Sequence, residues 1–563
     1  MELDVPSPNG AFSLRIPLMH TRALLLAAVS LVVGAGLAPA QQGAPRSPSA
    51  ERFDIIIRDG RVLDGSGNPW VLADVGIRGD RIVAIGNLGA ATATTVLDAK
   101  GRYVTPGFID THSHAGSTLA NPEMGAAGQL LAQGLTTVFI NPDGGGATNL
   151  AEQRTRLTER GVGVNVAMMI PHGSVRGAVI GSDDRAPTAD EMRRMEEMVR
   201  KGFTDGAFAL SSGPFYAPGS FAKTDELVAL AKVAAGYGAP YQSHIRDESD
   251  YTIGLLAAVE EVITVAREAN TRGVVTHIKA LGPNVWGFSA AIVERIDRAR
   301  EQGVEVFADQ YPYEASSTSL AAALVPRWAQ AGGRDAFLAR VADPAQRARI
   351  VTEMSDNLAR RGGAARIQFA SYGPDRSLDG QTLAQVSAAR NADAVATALA
   401  LLEKGDASIV SFNMNDADIE RLMRQPWTMT SSDGNLTRLG AGVPHPRGNG
   451  AFPRKIRKYV VEQGTVGLAD AIRSMTSLPA SVYRMEDRGV LRPGAYADVV
   501  VFDLDRVHDK ATYENPHQVA EGMVHVVVNG RVAWKDGQIT PERHGKVLAR
   551  GASGAAELSG RRR

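Results

Sequence analysis

Eleven histidines occur in the 563 residues, and two of them, His112 and His114, stand one residue apart in GFIDTHSH. Both follow an apolar run, so they lie where a buried strand ends. Residues two apart on a strand project to one side, and two imidazoles so placed can share one metal ion. An apolar stretch ends in a ligand-type side chain three more times: His244 in YQSHIRDE, His277 in VVTHIKA and Asp433 in MTSSDG. Imidazole nitrogens and a carboxylate suit a divalent ion, zinc above all. A lone histidine is most often structural, but four with an aspartate at successive strand ends point to a metal centre of one or two ions. Asp143, in the turn NPDGG, has two readings, a further ligand or the residue that shapes a Gly-rich turn.

Such a centre polarises a water and a substrate oxygen. Asp433 is the candidate to take a proton from that water and return it to a leaving group, the alternatives being a ligand only or a turn residue before Gly434. Lys279 follows His277 by two residues and shares its strand face, so it needs an anion, either a substrate carboxylate or an acidic neighbour. Tyr311 and Tyr313 share a face, Ser316 and Ser317 follow them, and Tyr216 lies in the loop after the fourth candidate strand. Arg246 either helps hold that carboxylate or pairs with Asp247 or Glu248. His172 either faces the site or ties down a loop. His445 and Arg447 either close the site or form a structural salt bridge.

These residues need a frame. Eight candidate strands cover 103–110, 136–143, 164–172, 206–212, 240–247, 274–279, 304–313 and 427–433, with helical stretches between most of them. One of these, TADEMRRMEEMVRKG, opens on a Thr188/Glu191 capping box. Alternating apolar strands and helices predict an α/β fold, a TIM-like (β/α)8 barrel over 104–486, with chemistry at the C-terminal strand ends. The gap between strands seven and eight is too long for a loop, so 324–425 reads as an inserted lid subdomain. Short strands with Asp-Gly and Gly-Asp turns at both ends of the chain, 52–103 and 487–550, read as one small β-sandwich. Residues 551–563 read as a flexible tail.

Arg15, His20 and Arg22 precede an apolar run of fifteen residues that ends in APA at 38–40. That reads as a signal peptide over 1–40, followed by a linker to 51, and predicts export to the periplasm or beyond rather than a stable membrane span. Lys+Arg and Asp+Glu both number 61, so no global charge draws the chain to nucleic acid or an anionic surface. Cysteine is absent, which removes disulfides, a thiolate nucleophile and a lipidated N-terminal cysteine.

With PGFIDTHSH, GLTTVFINPDGG, GAFALSSGPFYAPG, SHIRDE, THIKALG, DQYPYEASSTSL, SSDG, HPRGNGAFPR and GVLRPGAYADVVVFD, the chain resembles the amidohydrolase superfamily over about 52–550. Within it, the chain is most similar to the D-aminoacylases, or N-acyl-D-amino-acid deacylases. The resemblance implies a metal-dependent hydrolysis of N-acyl-D-amino acids to a free D-amino acid and a carboxylate. It also implies that the tyrosines, a serine and Lys279 hold the substrate's α-carboxylate. Other amidohydrolase activities, on cyclic amides or dipeptides, and a non-catalytic barrel are the alternatives. The family's usual cysteine ligand at the end of strand two is replaced here by Asp143, a harder donor that brings manganese or another divalent ion into range beside zinc. Strand four, GAFALSSG, carries no lysine, so the carbamylated-lysine bridge of hydantoinase-like relatives has no donor there.

Overall fold

The structure is a computed structural model and describes residues 52–551. The expected leader and linker, and all but the first residue of the expected tail, lie outside the described residues.

Five strands from the start of the chain (Arg52–Val62, Val71–Arg78, Arg81–Gly86, Thr92–Asp98 and Tyr103–Pro106) join four from its end (Val499–Phe502, Met523–Val528, Arg531–Lys535 and Gln538–Ile539). Hydrogen bonding runs unbroken through all nine. The expected sandwich is therefore one branched sheet, because Arg52–Val62 pairs with both Thr92–Asp98 and Tyr103–Pro106. Tyr103–Pro106 and Val499–Phe502 pair antiparallel and form the seam between the two ends of the chain. Strand alternation sorts the side chains into two sets. Ile55, Ile57, Val75, Ile77, Val499 and Val501 gather in the sheet's own core, and Val500, Phe502, Val526 and Val528 join the barrel's outer core.

The eight barrel strands are Phe108–Asp110, Leu135–Ile140, Asn165–Met168 (continued by Ile170–Pro171), Leu210–Ser212, Tyr241–Ser243, Gly273–Val275, Val306–Gln310 and Thr428–Thr430. All pair in parallel. The first and eighth meet just past their strand ends, where the Asp433 N–H donates to the His112 carbonyl at 2.8 Å and the His114 N–H to the Gly434 carbonyl at 3.0 Å. Strands covered on both faces read as apolar runs. Ile109, Phe139, Ala167, Ala209, Val274 and Met429 fill the interior, while Val138, Val166, Leu210, Tyr241, Val275 and Ala308 face the surrounding helices. Helix Ala189–Thr204 starts on the Thr188/Glu191 capping box and buries Met195 and Val199.

Between strands seven and eight, Ser316–Ser319, Ile367–Tyr372 and Ala407–Ser411 form a separate antiparallel sheet. With its helices it has its own core, including Leu320, Phe337, Ile350, Met354, Phe369, Leu399 and Ile409. The sheet starts at Ser316, ahead of residue 324, because the chain leaves the barrel as soon as strand seven ends. It is back on the barrel by helix Asp416–Met423, which packs on Ser289–Glu301. Among the described residues no helix is long and apolar enough to cross a membrane.

Candidate metal centre

Six side chains converge at the C-terminal mouth of the barrel. His112 and His114 come from just beyond strand one, Asp143 from strand two, His244 from strand five, His277 from strand six and Asp433 from strand eight. Three of them bend their own backbone to get there. Asp143, His277 and Asp433 have φ of 55°, 35° and 48°. This left-handed region costs a non-glycine residue on the order of 1 kcal/mol, and such strain collects at functional sites. Gly213 makes room for the Asp143 turn, since a Cβ there would lie 2.1 Å from the Asp143 carbonyl.

The six form two groups that share Asp143. In one, His112 Nε2 is 3.2 Å from Asp143 Oδ1, His114 Nε2 is 3.3 Å from Asp143 Oδ2, and His114 Nε2 is 3.1 Å from Asp433 Oδ1. In the other, His244 Nδ1 and His277 Nε2 lie 3.6 and 3.5 Å from Asp143 Oδ1. The donor atoms of each group lie within 4.8 Å of one another. His112 Nε2 and Asp143 Oδ1 are buried and have no hydrogen-bond partner among the described residues. Buried polar atoms without partners are costly. Imidazole nitrogens and carboxylate oxygens facing one small space are what a divalent ion satisfies, so the residues present fit such an ion. Asp143 occupies the bridging position between the two groups.

A ring of support fixes the ligands, as metal sites require. Gln242 Nε2 is 3.4 Å from His112 Nδ1, and Tyr483 donates to the Gln242 amide oxygen at 2.8 Å. Asp309 accepts from the His277 N–H at 2.8 Å and from Ser431 Oγ at 2.7 Å. Asp110 accepts from the backbone N–H groups of His112 and Ser432. Burial raises its carboxyl to about 6 against those bonds. Glu248 is 3.0 Å from His277 Nδ1 and also pairs with Lys279. Burial depresses the His114 imidazole, but Asp143 and Asp433 overcome it and hold it at about 9. Burial likewise opposes ionisation of Asp433, yet Arg447 at 2.7 Å keeps its carboxyl well below the usual range.

A cavity of about 690 Å³ opens over this cluster. Tyr216, Lys279, Tyr311, Ser316 and Arg447 are among the residues that line it. Lys279 has the acidic neighbour, Glu248. Four expected site residues lie elsewhere. Tyr313 turns away because the strand ends at Gln310 and a tight turn at Pro312, with the Tyr313 N–H on the Tyr311 carbonyl, breaks the alternation that would have kept the two on one face. Its ring packs on His445 and Tyr513. His445 is wedged among these tyrosines, 2.9 Å from the Ala315 carbonyl, and accepts the Arg447 N–H on Nδ1. Arg246 grips Glu261, a partner on the next helix that the local sequence did not suggest. His172 opens helix His172–Ile180 fully buried, 2.8 Å from Glu226, which Arg176 also holds. Sequence reasoning missed Asp110, Gln242, Glu248 and Asp309 as supports. Asp110 and Gln242 each sit two residues before a ligand and Glu248 ends the SHIRDE motif of His244, and that proximity was the available signal; Asp309 has none.

Residues 95–534 match the amidohydrolase family. The N-acyl-D-glutamate deacylase of Alcaligenes xylosoxydans xylosoxydans is 37% identical over 534 residues, 90% of this chain and 99% of that protein. The solved N-acyl-D-glutamate deacylase from Bordetella bronchiseptica, complexed with zinc and a phosphonate mimic of the tetrahedral intermediate, aligns with a TM-score of 0.77 at 34% identity, covering 89% of this chain and 100% of that one. A solved D-aminoacylase with a binuclear metal centre gives a TM-score of 0.76 at 31% identity, over 88% and 100% of the two chains. Similarity of this extent, carried by one barrel and one mouth, settles the family: the chain belongs to the amidohydrolases, among the D-aminoacylases and N-acyl-D-amino-acid deacylases.

Proposed function

We infer that the chain hydrolyses the linear amide of N-acyl-D-amino acids, releasing a free D-amino acid and a carboxylate. The observation that carries this is the shared carboxylate of Asp143, which joins His112, His114 and Asp433 on one side to His244 and His277 on the other at the floor of the cavity. A divalent ion bound there supplies Lewis-acid polarisation of a water and of the scissile carbonyl. Zinc suits the histidines and is bound in the Bordetella relative. Asp143, harder than a thiolate, widens the range toward manganese.

The protein's own groups do the rest. Arg447 neutralises Asp433 Oδ2, so this carboxylate starts ionised and its Oδ1 faces the ligands. It is therefore ready to accept a proton from water and to deliver it to the departing amine nitrogen. Burial keeps the hydroxyls of Tyr216 and Tyr311 protonated, and the Tyr311 hydroxyl has no partner among the described residues. Both are thus donors to a substrate oxygen. Tyr311, Ser316, Lys279 and Arg447 together give the α-carboxylate its anchor. The D configuration rests on the relatives, whose names specify it.

The test is amino-acid release from paired N-acetyl-D- and N-acetyl-L-amino acids by metal-reconstituted protein lacking residues 1–40. Release from the D series alone is expected. No release from either series overturns the deacylase reading. The apolar segment ending in APA supports export. A mature N-terminus close to residue 41 in a periplasmic fraction is the expected result, and an unprocessed chain in the cytosol overturns it.

A further inference from the structure

The strand Ser316–Ser319 lies at the end of the inserted sheet, with Ala407–Ser411 on one side and, among the described residues, no strand on the other. Successive residues of an antiparallel strand turn their backbone N–H and C=O groups to opposite edges. The Phe412 N–H reaches the Arg366 carbonyl at 2.9 Å, so Phe412 and Val410 serve the Ile367–Tyr372 side while Ser411 and Ile409 serve the other. Ser411 pairs with Ser316 and Ile409 with Thr318, so these two residues spend their backbone groups inside the sheet. Ser317 and Ser319 turn theirs to the open edge. The Ser319 carbonyl belongs to the helix it caps, Leu320–Leu324. The Ser317 N–H, the Ser317 carbonyl and the Ser319 N–H have no partner among the described residues.

This edge faces the cavity. A strand met face-on shows every second residue, and one met edge-on shows them all. Ser316, Ser317, Thr318 and Ser319 all line the cavity. The edge also starts beside the reacting centre, because Thr318 Oγ1 lies 3.2 Å from the Tyr216 hydroxyl and the Tyr216 ring is 4.6 Å from that of His244. Gly173 and Gly177 on helix His172–Ile180, with Gly181 at its cap, line the same cavity four residues apart, and a helix face without side chains leaves room for a main chain. The Gly332 N–H on the Ser182 carbonyl, at 2.8 Å, ties the insertion to the end of that helix. The cavity, about 690 Å³, is far larger than an acetyl group.

We propose that the open edge of Ser316–Ser319 is a subsite for a peptide on the acyl side of the substrate. The acyl group is then an extended peptide that adds to the inserted sheet as a further strand, and the enzyme releases the C-terminal D-residue from it. This rests on the deacylase reading and deepens it. The C–N bond of the last peptide link breaks, the water oxygen joins the carbonyl carbon to give the peptide's new carboxylate, and the nitrogen leaves protonated as the amine of the D-amino acid. A peptide backbone satisfies the two N–H groups and the carbonyl of the edge, and an alkyl chain leaves them unpaired. From Ser317 to Ser319 the edge spans about three residues of an extended chain.

The experiment measures kcat/KM on a series built on one D-residue, the one whose N-acetyl derivative turns over fastest. The series places no glycine, then one to four glycines, between the acetyl group and the D-residue, with an N-decanoyl compound as the alkyl control. The value is expected to rise by about 30-fold up to three glycines, the worth of two backbone hydrogen bonds, and to level off at four. The decanoyl compound should stay near the N-acetyl one. Sarcosine in place of glycine removes one N–H, and it should cancel the gain at alternate positions only, as strand pairing requires. Ser317→Pro deletes an N–H that the sheet does not use, so the ratio of triglycyl to N-acetyl substrate should fall about tenfold. Ser317→Ala keeps that N–H and should keep the ratio. A flat series, an equal gain from the decanoyl chain, equal loss at every sarcosine position, or a ratio unchanged in Ser317→Pro overturns the proposal. Each ratio is internal, so a general loss of folded protein cannot imitate the effect. If nothing is released from any N-acetyl or peptidyl compound, the deacylase reading fails, and calorimetric titration with the D-alanine members of the series tests the edge alone. Binding of the triglycyl compound at least tenfold tighter than the N-acetyl one, lost in Ser317→Pro, then supports the subsite, and equal binding overturns it.

Discussion

The two walls of the cavity handle charge in opposite ways. On the barrel wall every ionised group has an opposite number: Asp433 and Arg447, Glu248 and Lys279, Asp143 and the imidazoles around it. On the wall built by the inserted subdomain, Arg361 stands beside the Tyr251 ring and the Asn413 amide, and no carboxylate among the described residues pairs with it. The barrel carries the six candidate ligands with their counter-charges, and the insertion faces them with hydroxyls and one arginine.

The comparison breaks first at Asp433. Asp433→Asn keeps the shape and removes the base, and kcat on the best D substrate should fall by about 10³-fold or more. A fall of less than tenfold would leave Asp433 as no more than a ligand or a turn residue. Next is Asp143→Ala, which removes the carboxylate common to both ligand groups. Metal affinity, read by elemental analysis after dialysis against graded chelator, should drop by more than about tenfold while the circular dichroism spectrum stays native. Unchanged metal content and activity would make Asp143 a turn residue only. Glu248→Gln unbalances the barrel wall as the other wall already is. It strips Lys279 of its anion and His277 of its acceptor, and metal affinity should fall by about tenfold. No change in affinity would mean that Glu248 serves Lys279 alone.

The smallest expected effect sharpens the rule that a buried cation needs an anion. Lys455 is buried and, among the described residues, bonded only to Thr430 Oγ1 and Ser474 Oγ, both at 2.8 Å. Burial pulls its ammonium from 10.5 down to about 7. Because the folded form gives up its proton before the unfolded chain does, this group disfavours folding below pH 7, and the penalty is relieved as pH rises from 7 to 10.5. Its contribution to the slope is at most about 1.4 kcal/mol per pH unit. Urea unfolding at pH 7 and pH 9 should show wild type gaining on Lys455→Met over that interval. A parallel response of the two proteins would show that the lysine keeps its ordinary proton affinity.

How much of this was legible in the sequence depends on where each residue's partner lies. His112, His114, His244, His277 and Asp433 could be read from the chain, because a parallel barrel turns every apolar run that ends in a ligand-type residue into a strand end at one mouth. Asp143 was a choice between ligand and turn, and the structure places its side chain between both groups of histidines at a positive φ. Tyr313 was placed on the Tyr311 face because period-two alternation was carried past the strand, and the chain turns at Pro312; His445 was left between two roles, and its place beside the Ala315 carbonyl is set by a segment 130 residues away. Arg246 and His172 were each left between two readings, and the structure gives them structural partners, Glu261 and Glu226, from helices that local sequence does not bring near.

The sequence by itself determined the alternation of strand and helix, the positions of the ligand-type residues along it and the insertion's existence, because each depends on periodicity and neighbours a few residues away. Only the tertiary structure decided which charges are paired. Lys279 and Arg361 are both cations at one cavity, and nothing in their own stretches of chain distinguishes them. Glu248 is 31 residues from Lys279 and no acid among the described residues pairs with Arg361, and that difference exists only once the barrel has closed and the inserted sheet has folded over its mouth.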